Sequence, residues 1–233
     1  MTRARKVLCT LATGRHAALL EIAWPTFTAF ADRHGYDFVA LDRTLAPHRA
    51  ASWSKIPLLH DLVQRYDVAV WVDSDAVIVD ASVDIAEVME ARAFVHLVEH
   101  NLPDGRVPNC GVMALRGGNR ARRFLERVWG ASQHAQHEWW ENAAVLDVLG
   151  YRLRKPVRPA RPSVWRLGLG RLGAEWNSIP DDPAARPRIV HFPGLPFEER
   201  LTRMDAAVAT MPPAALPLLA SGGGAWTNRP PQL

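Results

Sequence analysis

Apolar positions along the chain alternate between short unbroken runs and stretches with helical spacing, the pattern of strands covered on both faces and of helices packed upon them. The first run, Val7-Leu8-Cys9-Thr10-Leu11-Ala12-Thr13, predicts a strand. From Arg15 to His34, Leu19, Leu20, Ile22, Ala23, Phe27 and Phe30 fall at helical spacing, and Gly35 stands where a helix ends in left-handed backbone. Pro25 predicts a kink within that helix. Tyr36 to Leu41 predicts a second strand and Thr44 to Ala51 a loop. Ser54 is placed to cap a helix running to Tyr66, with Pro57 in its first turn, where a missing N–H costs little. Val68-Ala69-Val70-Trp71-Val72 then shows no polar alternation, as a central parallel strand requires. Strand, helix, strand, helix, strand opens a doubly wound sheet.

Further along, Ala93 to Val98 and Gly111 to Leu115 predict strands, and Asn119 to Ser132 and Trp139 to Leu149 predict helices. Arg152 to Gly173 is irregular and rich in Arg, Pro and Gly, Arg188 to His191 reads as a last short strand, and Phe197 to Ala209 as a last helix. The expected organisation is a single α/β domain over residues 1–211, with a Pro/Gly-rich tail over 212–233 that includes Ser221-Gly222-Gly223-Gly224.

Composition fits a folded globular chain, with 48% hydrophobic and 22% charged residues. The net charge of +4 comes from arginines that read as scattered, with no RNA-binding motif, so nucleic acid is not an expected partner. Cys9 and Cys110 lie in apolar runs and are expected to be buried free thiols. The basic stretch Met1 to Lys6 leads directly into a strand and is not a signal sequence. No run of about 18 apolar residues provides a membrane span, so the expectation is a cytoplasmic protein without a transmembrane segment.

Candidate chemistry centres on Asp73-Ser74-Asp75. Residues two apart in a strand point the same way, so both carboxylates are expected to face the crevice at the carboxyl end of the buried strand, where open α/β sheets bind ligands. Two hard carboxylate oxygens suit Mg²⁺ or Mn²⁺ while leaving positions open for diphosphate oxygens. Asp-x-Asp alone is a weak signal, since a chain of this size contains about one by chance. Its place between Val-Ala-Val-Trp-Val and Ala76-Val77-Ile78-Val79 is what gives it weight.

The runs Trp53-Ser54-Lys55-Ile56-Pro57-Leu58-Leu59 and Val70-Trp71-Val72-Asp73-Ser74-Asp75-Ala76-Val77-Ile78 resemble the galactosyl/mannosyl transferases of fungi and the plant xyloglucan xylosyltransferases. Asn109-Cys110-Gly111, Trp140-Glu141-Asn142-Ala143-Ala144 and Ile189-Val190-His191-Phe192-Pro193-Gly194 extend the likeness over roughly residues 7 to 200. The resemblance implies a GT-A fold, a UDP- or GDP-sugar donor and Mn²⁺ (or Mg²⁺). It also implies Asp75 and His191 as metal ligands, with Asp73 on the metal or the ribose. Lys55 is then expected at the diphosphate, and Asn109 and Gly111 at the sugar, Gly111 allowing close backbone approach. Thr10, Thr13 and Ser74 complete the expected donor set. Trp140 and Glu141 are expected at the acceptor, a glycan, lipid-linked or small-molecule hydroxyl, because aromatic faces stack on sugars and carboxylates bind hydroxyls. Asn142 departs from the Gln usual in that family, and an amide is no nucleophile. The implied outcome is retention by same-face displacement with Asn142 beside the oxocarbenium-like centre; were Glu141 instead to act as base from the opposite face, the product would be inverted.

Two features are set aside. Gly168-Leu169-Gly170-Arg171-Leu172-Gly173 fits G-x-G-x-x-G, but no clear strand precedes it and Pro180 cuts off a following helix. His134 and His137 lack further ligands for zinc and read as surface residues. The competing functional classes are a metal-dependent nucleotidyltransferase or nucleotide-sugar phosphohydrolase, and a non-catalytic basic binding module.

Overall fold

The computed structural model describes residues 4–103 and 105–211, so the expected tail lies outside the described residues. In chain order the elements are β1 (Lys6–Leu11), α1 (Ala17–His34), β2 (Tyr36–Leu41), α2 (Lys55–Arg65), β3 (Val68–Val72), β4 (Ala76–Ile78) and α3 (Ile85–Val88). There follow β5 (Val95–Leu102), β6 (Gly105–Arg116), α4 (Asn119–Trp129), α5 (Trp140–Val148), β7 (Tyr151–Arg152), β8 (Arg158–Pro159), β9 (Leu169–Leu172), β10 (Ile189–His191) and α6 (Phe197–Ala209). Gly35 ends α1 in left-handed backbone at φ 67°, as expected. The helix continues through Pro25, and Thr28 Oγ1 donates back to the Trp24 carbonyl at 3.0 Å. Ser54 does not cap α2. A 3-10 turn over Ala51–Ser54 leads straight into the helix, and the Ser54 hydroxyl instead accepts the Leu45 N–H at 2.9 Å.

The main sheet has the order β2-β1-β3-β6-β5-β9. β1 pairs in parallel with β2 and β3, β5 pairs in parallel with β9, and β6 alone runs against its neighbours. Successive residues of β3 divide between two cores, as the unbroken apolar run requires. Ala69 and Trp71 join Leu59, Leu62, Phe124 and Val145 from α2, α4 and α5. Val68, Val70 and Val72 join Leu19, Phe27, Phe30 and Met204 from α1 and α6. The chain order therefore reverses beside β1, with β2 on one side and β3 on the other, and places a switch-point crevice at their carboxyl ends. Among the described residues, no helix is long and apolar enough to cross a membrane.

β6 is longer than its apolar run predicts because Gly105 to Asn109 pair with β5 beyond the reach of β3, and edge pairing tolerates Pro108. The β5–β6 register jumps from Leu97–Met113 to Val98–Asn109, so Cys110, Gly111 and Val112 have no partner on β5. The glycine-rich run turns out to contain β9, an edge strand. A Cβ on Gly170 would lie 2.3 Å from His96 Cδ2, and one on Gly168 would lie 2.1 Å from Phe94 Cε1, so those glycines let β9 approach β5. A two-stranded antiparallel sheet of β4 and β10 sits beside the main sheet and pairs His191 with Ala76.

One buried polar knot ties β1, β2 and α3 together. Asp84 accepts from Tyr36 Oη at 2.6 Å, from Lys6 Nζ at 2.5 Å and from the Ala86 N–H at 2.9 Å, capping α3. Burial raises the Asp84 pKa, but Lys6, Tyr36 and the Ala86 amide outweigh it and hold the carboxyl below its ordinary value of 3.8. With the folded value depressed, this stabilisation is full above the unfolded value and fades as pH falls through the folded one. We predict that Asp84→Ala lowers unfolding free energy by about 2 kcal/mol at neutral pH, read by urea denaturation, and that the difference from the parent shrinks under strong acid.

Candidate functional site

Asp73 and Asp75 meet through a turn, not through strand alternation. β3 ends at Val72, and the Ala76 N–H bonds the Asp73 carbonyl at 3.1 Å, so Asp73-Ser74-Asp75 folds back before β4 begins. β4 then pairs with β10, and the Phe192 N–H bonds the Asp75 carbonyl at 3.0 Å, which fixes His191 beside the turn. One ligand atom from each of Asp73, Asp75 and His191 lies within 4.8 Å of the others. His191 Nε2 is 3.2 Å from Asp75 Oδ1 and 3.7 Å from Asp73 Oδ2.

The protonation of His191 follows from a chain of hydrogen bonds that starts at a backbone amide. The Gly111 N–H donates to Asn109 Oδ1 at 2.7 Å, which identifies that atom as the oxygen. Asn177 Nδ2 donates to the same oxygen at 3.0 Å, turning Asn177 Oδ1 toward His191 Nδ1 at 2.9 Å. Nδ1 therefore carries the hydrogen in the neutral ring, and Nε2 presents its lone pair to two carboxylates. Three acceptors converge without a donor between them. A cation reconciles them, and two carboxylate oxygens with one imidazole whose far nitrogen is hydrogen-bonded fit a divalent ion.

Gly111 serves His191 as well as Asn109. A Cβ there would lie 2.1 Å from His191 Cε1, so the space expected for a sugar is filled by the imidazole. The Gly111 carbonyl accepts the Asp73 N–H at 2.8 Å and ties β6 to the turn.

The outer oxygens of both aspartates are clamped. Asp73 Oδ1 accepts from Trp71 Nε1 at 2.6 Å and faces Lys55 Nζ at 3.1 Å. Asp75 Oδ2 faces Arg200 Nη1 at 3.0 Å. Burial raises the Asp73 pKa, Lys55 and His191 oppose it, and the neighbouring Asp75 and Glu141 add to it, leaving Asp73 above the ordinary range. Burial acts on Asp75 in the same sense but is outweighed by the charge and hydrogen bond of His191 when its ring is the imidazolium, and by Arg200, which together hold its carboxyl below that range.

Lys55 is almost fully buried, at 1% exposure. Its ammonium is enclosed, with Asp73 Oδ1 at 3.1 Å, Glu141 Oε1 at 2.8 Å and the Cys110 carbonyl at 2.9 Å accounting for its three hydrogens. Burial favours the neutral amine, but Asp73 and Glu141 reverse this and raise the pKa above the ordinary lysine range. Glu141 is buried against Lys55, and its Oε2 has no hydrogen-bond partner among the described residues.

The other expected site residues fall into place unevenly. Trp140 opens α5 with φ 45°, a left-handed backbone rare for an aromatic residue, and is 51% exposed, while Trp139 packs on the core. Asn142 Oδ1 accepts the Cys110 N–H at 3.0 Å and its Nδ2 donates to the Pro108 carbonyl at 3.4 Å, so its amide braces β6. Thr10 is fully buried where β3 stops pairing with β1, its hydroxyl without a partner among the described residues. Thr13 follows β1 and precedes a 3-10 turn, and Ser74 is buried between the aspartates. Both cysteines are buried free thiols, with burial raising their pKa.

Three residues near the metal corner carried no readable signal in the sequence. Asn177 lies in an irregular stretch, and Arg200 looks like any surface arginine of a helix. His16 lies close enough to the corner to feel Arg200 and both aspartates, and burial, then Arg200, lowers its pKa. Its ring stacks on Phe197 at 6.1 Å.

A mostly parallel doubly wound sheet with an Asp-x-Asp turn at its switch point defines the GT-A fold, and the chain is a glycosyltransferase of that fold. Residues 11–125, from the end of β1 into α4, match the galactosyl transferase GMA12/MNN10 family, which the chain resembles as its motifs implied. Among solved structures, a glycosyltransferase involved in glycosylation of the major capsid of PBCV-1 is 15% identical with a TM-score of 0.65, aligned over 86% of this chain and 99% of that one. The galactosyltransferase LgtC, solved with donor and acceptor sugar analogs, is 11% identical with a TM-score of 0.54, over 89% and 98%. GlyE from Streptococcus pneumoniae TIGR4 is 10% identical with a TM-score of 0.56, over 88% and 63%. Comparison with curated proteins finds no match. The family match favours glycosyl transfer over nucleotidyl transfer, phosphohydrolysis or simple basic binding.

Two substitutions separate the layers of this site. Lys55→Met leaves Glu141 and Asp73 with uncompensated charge and is expected to cost about 3–5 kcal/mol in urea denaturation. Asn177→Leu removes the bond that orients His191 and is expected to weaken any divalent-cation binding at this site about 10–100-fold in isothermal titration while the fold persists.

Proposed function

We propose that the chain transfers a hexosyl or pentosyl group from a UDP- or GDP-sugar to a hydroxyl acceptor, with Mn²⁺ or Mg²⁺ held by Asp73, Asp75 and His191. The observation that carries this reading is the convergence of two carboxylate oxygens and the His191 Nε2 lone pair at the switch point, where open sheets bind nucleotides. A divalent ion bound there supplies charge neutralisation to the departing diphosphate.

This chain's own groups supply the rest. Arg200 is partly exposed beside Asp75 and takes over the diphosphate role first assigned to Lys55, because its Nε goes to the Leu195 carbonyl and its Nη1 to Asp75 while Nη2 has no hydrogen-bond partner among the described residues, whereas Lys55 is enclosed. Thr10, Thr13, Ser74 and Asn109 are assigned to the donor side, Thr10 and Ser74 as buried residues beneath it and Asn109 through its bonds to the Gly111 amide and Asn177. Trp140 offers an exposed ring to the acceptor sugar and Glu141 orients its hydroxyl through Oε2. Retention, as the motifs imply it, would proceed by same-face displacement, because the Asn142 amide is bonded to Cys110 and Pro108 and offers no carboxylate for a covalent intermediate.

A panel of UDP- and GDP-sugars with Mn²⁺, read by nucleoside diphosphate release, tests this. At least one donor is expected to turn over, and Asp75→Ala to reduce that rate by about 100-fold or more. Equal turnover by parent and variant rejects the metal assignment, and release of sugar phosphate in place of nucleoside diphosphate rejects the reaction.

A further inference from the structure

The arginine surplus is not scattered. Between Tyr151 and Leu172 the chain carries six arginines and Lys155 with no acidic residue, more positive charge than the +4 of the whole protein. Arg154, Lys155, Arg158, Arg161 and Arg171 are exposed. Arg161 pairs with Asp147 at 2.8 Å and Arg171 with Glu99 at 3.2 Å, whereas Arg154 and Arg158 have no acidic partner among the described residues. Arg120, at the start of α4, extends the same face, its Nη2 lying 3.1 Å from where a Cβ on Gly168 would stand.

Two aliphatic side chains stand out of this basic surface. Val164 is 72% exposed and Leu167 is 85% exposed. The loop that carries them is pinned. Trp165 packs edge-on against Phe94 at 6.1 Å and beside Phe124 at 5.9 Å. The Ser163 hydroxyl donates to the Val148 carbonyl at 2.7 Å, and Arg166 Nη1 donates to the Leu149 and Arg161 carbonyls. With Trp165 anchored inward, its neighbours Val164 and Leu167 are held outward.

We propose that this face docks on an anionic lipid bilayer, with Val164 and Leu167 entering the headgroup boundary and the surrounding cations meeting lipid phosphates. Aliphatic residues ringed by Lys and Arg are the composition that partitions to such an interface. A single-strand-binding surface would instead offer exposed aromatic rings for stacking, whereas Trp165 is turned into the core, and a duplex phosphate backbone would give the exposed Val164 and Leu167 no apolar medium to enter. The inference concerns a surface away from Asp73, Asp75 and His191 and is tested without activity.

The full chain is expected to sediment with phosphatidylcholine vesicles containing phosphatidylglycerol, to stay in solution with phosphatidylcholine alone, and to be released by high salt. Arg154→Ala with Arg158→Ala is expected to weaken binding about five-fold per cation, about 25-fold in all. Val164→Ser with Leu167→Ser is expected to abolish retention at moderate salt. These positions are exposed, so unchanged thermal melting is expected of both double variants. A parent that ignores phosphatidylglycerol vesicles, or an arginine variant that binds them as tightly as the parent, overturns the proposal. So does a parent that binds single-stranded or duplex oligonucleotides but not the vesicles.

Discussion

Two carboxylates and one imidazole acceptor held within a few ångströms of each other are the constraint around which the crevice is built. Two like charges 4 Å apart repel by about 4 kcal/mol at the effective dielectric of a protein surface. The chain compensates from outside, with Lys55 and Trp71 on the outer oxygen of Asp73 and Arg200 on the outer oxygen of Asp75. The inner oxygens remain facing His191 Nε2. This division leaves the inner faces open for a cation; burial still carries the Asp73 carboxyl above its ordinary range, whereas on Asp75 burial is outweighed by His191 and Arg200 and the carboxyl lies below it.

Rigidity in that corner comes from short elements. β4 and β10 have three paired positions, yet they join the residue after Asp75 to His191, so the turn and the histidine move as one piece. The hydrogen-bond chain from Gly111 through Asn109 and Asn177 then sets the ring's tautomer. Each link is a fixed donor meeting a fixed acceptor, and no link depends on solvent.

What was readable in the sequence follows the same division. Val68 to Val72 announced a strand buried on both faces, and the β1–α1–β2–α2–β3 order placed Asp73 and Asp75 at the switch point, because burial leaves a local pattern. The turn between them, with Ala76 bonded to Asp73, has no such pattern, so strand alternation gave the right neighbours for the wrong reason. Lys55 was placed at a diphosphate by the family resemblance; only packing reveals Glu141 and Cys110 beside it. His191 was found through a motif. Asn177 and Arg200, which orient and charge the same site, sit in an irregular stretch and on an ordinary helix face. The G-x-G-x-x-G run misled because glycine also permits close strand packing, the use it has against Phe94 and His96.

The metal corner and the expected acceptor side meet in one dipeptide. Where the β5–β6 register jumps, Cys110 and Gly111 lose their β5 partners, and all four of their backbone polar groups are taken by other parts of the site. The Cys110 amide goes to Asn142 on α5 and its carbonyl to Lys55 on α2. The Gly111 amide goes to Asn109 and its carbonyl to Asp73. An irregular β6 is therefore what allows side chains from two helices and the Asp-x-Asp turn to bond one stretch of backbone, in keeping with bulges that redirect strands beside active sites. A regular β5–β6 ladder would satisfy those groups itself and deprive Asn142 and Lys55 of their bonds to Cys110. It follows that Asn142 and Lys55, placed by sequence at the sugar and the diphosphate, act first by fixing the distance between the converging Asp73, Asp75 and His191 and the helix that carries Trp140 and Glu141.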